Sequence, residues 1–339
     1  MTTSSSMAST APQALKAARR SHTWLTARRL LRALLPTISL VLVLLAIASF
    51  NPHAISYFGF TLMLNLAVPV ALATIAQLMV ITVNDLDLSI GAFVGFAGCV
   101  TATWLPQQPA LGFAILLGAI AVYTGLGALI HLRRLPSIVA TLGMSFVWLG
   151  FGVLIRPTPG GTAPGWLSGL VSLRPPWVPL PIVAAVLIAA VVHVGLMRTT
   201  YGAILRGVGG NAHALERAGW SLLRAKMTAY ALAGFFGVLS GMALVGVSTS
   251  AEANMANGYT LLSIAGAILG GAEFVGGRVS PIGAVIGALT LQLVAVALNF
   301  FHIAAFPDLR IPQAWQVGAQ GIILIIILAA RALINWSEE

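Results

Sequence analysis

The polar hexapeptide Asn84-Asp85-Leu86-Asp87-Leu88-Ser89 interrupts two long apolar runs. A carboxylate at membrane depth is costly and is kept where it is paired or functional. The same residues also suit a turn at the membrane surface, where the Asp87 or Ser89 oxygen caps the next helix by accepting from its free N–H groups. The two roles are compatible. A second polar stretch runs from Tyr201 to Trp220 as an inside loop. Within it Asn211 is placed to cap a short helix over Ala212 to Ala218, and Gly219 to end it. A short helix lying on a membrane face suits docking of a soluble partner. The third stretch, Leu269 to Arg278, sets Gly270, Gly271, Gly276 and Gly277 around Glu273 and Arg278. Paired glycines near a span end predict a helix break and a tight turn, with the acid and base as charge partners.

Several chemistries are excluded. The chain has no Gly-x-x-x-x-Gly-Lys-Ser/Thr loop for ATP phosphates, and no His-Glu-x-x-His, Cys-x-x-Cys or Gly-x-Ser-x-Gly. Its six histidines are scattered and its one cysteine, Cys99, lies in an apolar run. No catalytic residue and no metal site is expected. The net charge of +10 sits between the apolar runs, so it describes topology and gives no reason to expect nucleic acid as a partner.

The elements that must position these stretches are membrane helices. Of 339 residues, 58% are hydrophobic and 8% charged, against about a quarter charged in a soluble domain. Apolar runs near 34–50, 59–83, 88–105, 110–131, 137–155, 179–197, 226–247, 259–275, 281–301 and 313–334 each approach the roughly 20 residues that cross a bilayer. The expected fold class is an all-α integral membrane protein with about ten transmembrane helices, both termini cytoplasmic, and the second, third and eighth spans broken or re-entrant. The charge rule agrees. Loops assigned to the cytoplasm hold Arg133, Arg134, Arg198, Arg206, Arg217, Arg224, Lys226, Arg278 and Arg331, whereas those assigned outside hold Arg156, Arg174 and Arg310. Residues 1–33, with Lys16, Arg19, Arg20, Arg28, Arg29 and Arg32, read as a basic, disordered cytoplasmic tail. Residues 34–334 read as a single polytopic domain and 335–339 as a cytoplasmic end.

Dense intraspan glycines, among them Gly91, Gly95, Gly98, Gly266, Gly270, Gly283 and Gly287, predict close helix packing. A polar path needs polar side chains within spans: Asn65, Gln77, Thr141, Ser145, Ser263, Gln292 and Asn299. Asn65 and Gln77 stand first, 12 residues apart in one apolar run.

In order and combination, Asp87-Leu88-Ser89-Ile90-Gly91, Gly209-Gly210-Asn211 followed by Ala218-Gly219, and Leu269-Gly270-Gly271 with Gly276-Gly277-Arg278 resemble the permease subunits of bacterial ribose-type ABC importers. This carbohydrate branch shares its superfamily with branched-chain amino-acid permeases, and the resemblance covers roughly residues 34–334. It implies a multi-pass protein of the bacterial cytoplasmic (inner) membrane, surrounded by lipid and paired with a second permease, either a copy or a paralogue. It further implies ATP-binding-cassette subunits on the cytoplasmic face and a periplasmic solute-binding protein. ATP and Mg then belong to the partner ATPase, and this chain carries no cofactor. By the same resemblance the 201–220 loop holds the coupling helix, with Gly209, Gly210, Asn211, Glu216 and Gly219, while Asp87, Ser89, Gly91, Gly270, Gly271, Gly276, Gly277 and Arg278 form gate and turn motifs. The sequence departs from the family at Asn84-Asp85, where two glycines are usual. A pentose, hexose or related polyol is the implied solute. An ion-coupled secondary transporter or channel, and a branched-chain amino-acid ABC permease, are the alternatives.

Overall fold

Prolines, glycines and short polar side chains decide where the helices of this apolar chain begin and end. The computed structural model describes residues 34–305 together with 318, 321, 322, 325 and 329. The helices are α1 (Leu34–Phe50), α2 (Tyr57–Leu64), α3 (Ala67–Thr82), α4 (Ile90–Trp104), α5 (Pro109–Arg133), α6 (Ser137–Ile155), α7 (Gly165–Val171), α8 (Leu180–His193), α9 (Thr200–Arg217), α10 (Leu222–Ser248), α11 (Tyr259–Leu269) and α12 (Pro281–Ala305). Among the described residues the sole β-pairing is an isolated bridge between Gly160 and Ala251. The predicted span 313–334 and both tails lie outside the described residues, apart from the isolated positions named above.

Pro109 opens α5, where its missing N–H would be unpaired in any case, and Arg134 closes it in the left-handed conformation (φ 53°). Ser221 caps α10, its Oγ accepting from the Arg224 N–H at 3.3 Å. Among the described residues five helices are long and apolar enough to cross a membrane, α8 being one when counted with the π-helical turn that continues it to Arg198, and a sixth span results if α2 and α3 are counted as one. Large apolar side chains such as Leu154, Phe146 and Leu117 stand exposed. That is the surface a lipid-facing helix needs and a soluble one avoids.

Three spans differ from uniform rods. The run expected at 59–83 is broken, α2 meeting α3 at 45°. The cause is Pro69, which cannot donate to the Asn65 carbonyl four residues earlier and crowds it. The run expected at 88–105 is preceded by irregular chain from Val83 to Ser89. The run expected at 259–275 holds a helix of only 11 residues, α11, or about 16 Å and half a bilayer. Residues 251–258 reach it as nonhelical chain running along α4. There the glycines let backbone meet backbone: a Cβ at Gly91 would lie 2.6 Å from the Ala256 carbonyl oxygen. The 201–220 stretch also differs from a loop, since α9 occupies most of it and is kinked at Asn211 (φ −158°, ψ 84°).

The core forms around α10, which packs on α3, α4 and α5, while α4 packs on α6 and α11 on α12 and α3. Gly266 and Gly270 of α11 face Gly283 and Gly287 of α12, so two helices cross at backbone distance as the glycine pattern predicts.

Candidate functional site

Irregular backbone survives at membrane depth only if its polar groups are satisfied internally. The break between α3 and α4 meets that demand with side chains from distant helices. The Leu86 N–H donates to Ser137 Oγ at 3.1 Å and the Leu88 N–H to Thr141 Oγ1 at 3.0 Å, both on α6. With its amide oriented to satisfy both groups, Gln77 of α3 donates to the Asp87 carbonyl at 2.9 Å and accepts from the Asp87 N–H at 3.2 Å. The Asn84 and Asp85 N–H groups return to the Ile81 and Val80 carbonyls at 3.0 and 3.2 Å. Asn84 itself is left-handed (φ 62°), a conformation free to glycine and, among other residues, easiest for Asn and Asp.

The two carboxylates of the break have separate partners. Asp87 is fully buried. Its Oδ1 accepts from the Ser89 N–H and Oγ, both at 2.7 Å, and its Oδ2 from the Tyr123 hydroxyl. Ser89 Oγ and the Tyr123 hydroxyl are 2.8 Å apart, closing the triangle. Ser89 occupies the N-cap position of α4 without a capping bond of its own; Asp87 Oδ1 takes the Ser89 N–H, and in the first turn the Gly91 N–H donates to Thr260 Oγ1 of α11 at 3.0 Å. Tyr123 is itself fixed by rings, 4.5 Å from Phe93 and stacked on Trp148 at 6.1 Å. Asp85 pairs with Lys226 of α10, the ammonium lying 2.9 and 2.8 Å from its two oxygens, and accepts from the Tyr230 hydroxyl at 3.4 Å.

The three polar stretches of the sequence meet here. Gly277, left-handed at φ 73°, donates its N–H to the Thr82 carbonyl at the end of α3 (3.2 Å). Gly209 of α9 fits into the same spot, where a Cβ would strike the Thr82 oxygen and the Gly277 nitrogen. A Cβ at Gly276 would meet Asn84 backbone at 2.7 Å. Gly210, by contrast, faces open space. Beyond the kink Asn211 Oδ1 accepts from the Ala214 N–H at 3.0 Å, capping the second half of α9, and Gly219 (φ 84°) lies in the turn just beyond it. This half presents His213, Glu216, Arg217 and then Trp220 to the exterior, with Glu216 3.8 Å from His213 Nδ1. Glu273 and Arg278 form the expected ion pair at 3.4 Å. Both are too exposed for it to add much stability. Gly270 and Gly271 sit at the end of α11, Gly271 with φ 109°.

Asn65 and Gln77 are not brought together. Twelve residues turn even a straight α-helix by about 120°, the chain bends by 45° between α2 and α3, and Gln77 is fully buried against Asp87. Asn65 instead borders an apolar groove of about 390 Å³ between α3, α7, α8 and α10. Thr141 serves the break, whereas the Ser145 and Ser263 hydroxyls return to their own helices, and the side chain of Asn299 lies outside the described residues. Sequence reasoning missed Tyr123, Ser137, Lys226 and Tyr230. A lone polar group in an apolar span signals a partner but does not name it. Among the described residues no group of three His, Cys, Asp or Glu could hold a metal ion.

Comparison with known proteins identifies the family. A family described as branched-chain amino acid transport system / permease component matches residues 59–328. The chain is 25% identical over 297 residues to a ribose import permease protein of Bacillus subtilis, covering 86% of this chain and 90% of that one. It is 27% identical over 280 residues to the ribose import permease protein of Escherichia coli, covering 79% and 87% respectively. A galactofuranose transporter permease protein of Escherichia coli is 29% identical over 277 residues, covering 78% and 77%. No solved structure matches. With a family match over most of its length and apolar helices to fit, this chain belongs to the branched-chain amino acid transport system / permease component family of ABC transporter permeases.

Proposed function

We propose that the chain is the transmembrane permease subunit of an ATP-driven importer for a sugar or related small polar solute. In this reading it crosses the bacterial inner membrane about ten times with both ends cytoplasmic. A second permease completes the path, a periplasmic binding protein delivers the solute, and ATP-binding-cassette subunits dock on the capped half of α9. Hydrolysis of Mg-ATP belongs to those subunits. The observation that carries the proposal is the convergence of Gly209, Gly276–Gly277 and the α3–α4 break at one end of the bundle. The exposed helix after Asn211 is thereby backed by the junction that sets the shape of the broken span. Movement of that helix has a short route to the transport path. The sugar class draws on the ribose and galactofuranose relatives and on the Asp87-Leu88-Ser89 string, which favours it over amino acids. Ion-coupled transport is less well supported, because both Asp87 oxygens are already taken by Ser89 and Tyr123.

Reconstitution tests it. Proteoliposomes holding this chain with its genomic-neighbour ATPase and binding protein are expected to accumulate a labelled pentose or hexose only with ATP inside the compartment the ATPase faces. Uptake driven by a proton or sodium gradient without ATP would refute the assignment.

A further inference from the structure

The exposed half of α9 reaches the α3–α4 break by two routes. One is Gly209 against Thr82 and Gly277. The other passes through α10, which starts at Leu222, immediately after the Gly219 turn, so that Lys226 is only one helical turn inside it. There Lys226 holds both oxygens of Asp85 at 2.8 and 2.9 Å, with the two side chains 19% and 8% exposed. One turn further along, Tyr230 also donates to Asp85, and its ring lies 6.4 Å from that of Tyr123, whose hydroxyl binds Asp87. A poorly exposed charge pair resists separation, because parting it leaves a desolvated charge without compensation.

We infer that Asp85 and Lys226 are positioning residues of the transport cycle: their ion pair ties the broken segment to the first turns of α10, so that displacement of the helix after Asn211 moves the Asp87 network with it. The inference rests on the transport reading above. Asp85 touches no solute in this account. It transmits motion and fixes the geometry of the break.

The test is the double variant D85N/K226M, which removes both charges together and strands neither, so that loss of folding is not the expected result. Two readouts are taken. In the detergent-purified permease, amide exchange across residues 84–88 is expected to rise about tenfold or more, because the break loses its tie to α10. In proteoliposomes with the ATPase and binding protein, ATPase copurification and hydrolysis stay within about twofold. Sugar moved per ATP falls about tenfold, using whichever of labelled D-ribose, D-xylose or D-galactose the unmodified complex takes up fastest. Unchanged exchange would overturn the tie, and a wild-type ratio of uptake to hydrolysis would overturn its role in coupling. An unmodified complex that shows no ATP-dependent uptake refutes the transport reading itself, an outcome scored before any substitution is compared.

Discussion

Gly209 and Gly210 are neighbours with opposite surroundings, so alanine at each separates the junction from generic effects on α9. Added at Gly209, a methyl carbon would sit well inside contact distance of the Thr82 carbonyl oxygen and the Gly277 nitrogen, and 3.1 Å from the Gly276 carbonyl carbon. Both near atoms are backbone, so neither can swing aside. Relief requires α9 to back away from the Thr82–Gly277 hydrogen bond, or that 3.2 Å bond to open. Overpacking costs about 1–3 kcal/mol, and alanine returns up to about 1 kcal/mol of helix preference. The net for G209A is therefore a loss of up to about 3 kcal/mol. G210A meets nothing within 4 Å, so it keeps only the favourable part, up to about 1 kcal/mol. Unfolding of the two detergent-purified variants, by heat or denaturant, reads the difference directly. Equal stability of G209A and G210A would refute the close approach, and with it the reasoning that places the α9 kink against the end of α3.

Other substitutions probe the remaining contacts. Tyr123→Phe removes one donor to buried Asp87 and is expected to cost about 1–3 kcal/mol; an unchanged unfolding midpoint would show that the triangle with Ser89 does not form. Asn211→Ala deletes the cap of the exposed half of α9 and should lower local stability by about 0.5–2 kcal/mol. It should also reduce ATPase copurification, whereas Asn211→Asp, which keeps the cap, should retain it. Gln77→Leu leaves the Asp87 backbone N–H and carbonyl unpaired and is expected to cost about 2–6 kcal/mol. Asn65→Ala, at the edge of an apolar groove, should be close to neutral by the same thermal assay, and a larger loss there than at Gln77 would reverse their assigned roles.

Signals that act locally could be read from the sequence, and those that act between distant helices could not. Asn211 announces a cap because its partner N–H is three residues away. Gly271, Gly276 and Gly277 announce a turn because positive φ is a property of the residue itself. The partners of the α3–α4 break carry no such mark. Tyr123 is 36 residues from Asp87, and Lys226 is 141 from Asp85, each embedded in or near an apolar run that looks the same whatever it faces. Lys226 in particular counts toward the positive charge of a cytoplasmic loop, although the structure places it within α10 as the counterion of a carboxylate. Asn65 and Gln77 share no helix face for reasons the sequence does hold: 12 residues turn an α-helix by about 120°, and Pro69, four residues after Asn65, interrupts the helix between them. The hydropathy signal runs unbroken across that proline. In a membrane chain that signal reports burial in lipid or protein, not backbone continuity. Apolar side chains coat a broken span as readily as an intact one, and only proline, glycine and the donors that satisfy freed carbonyls tell the two apart.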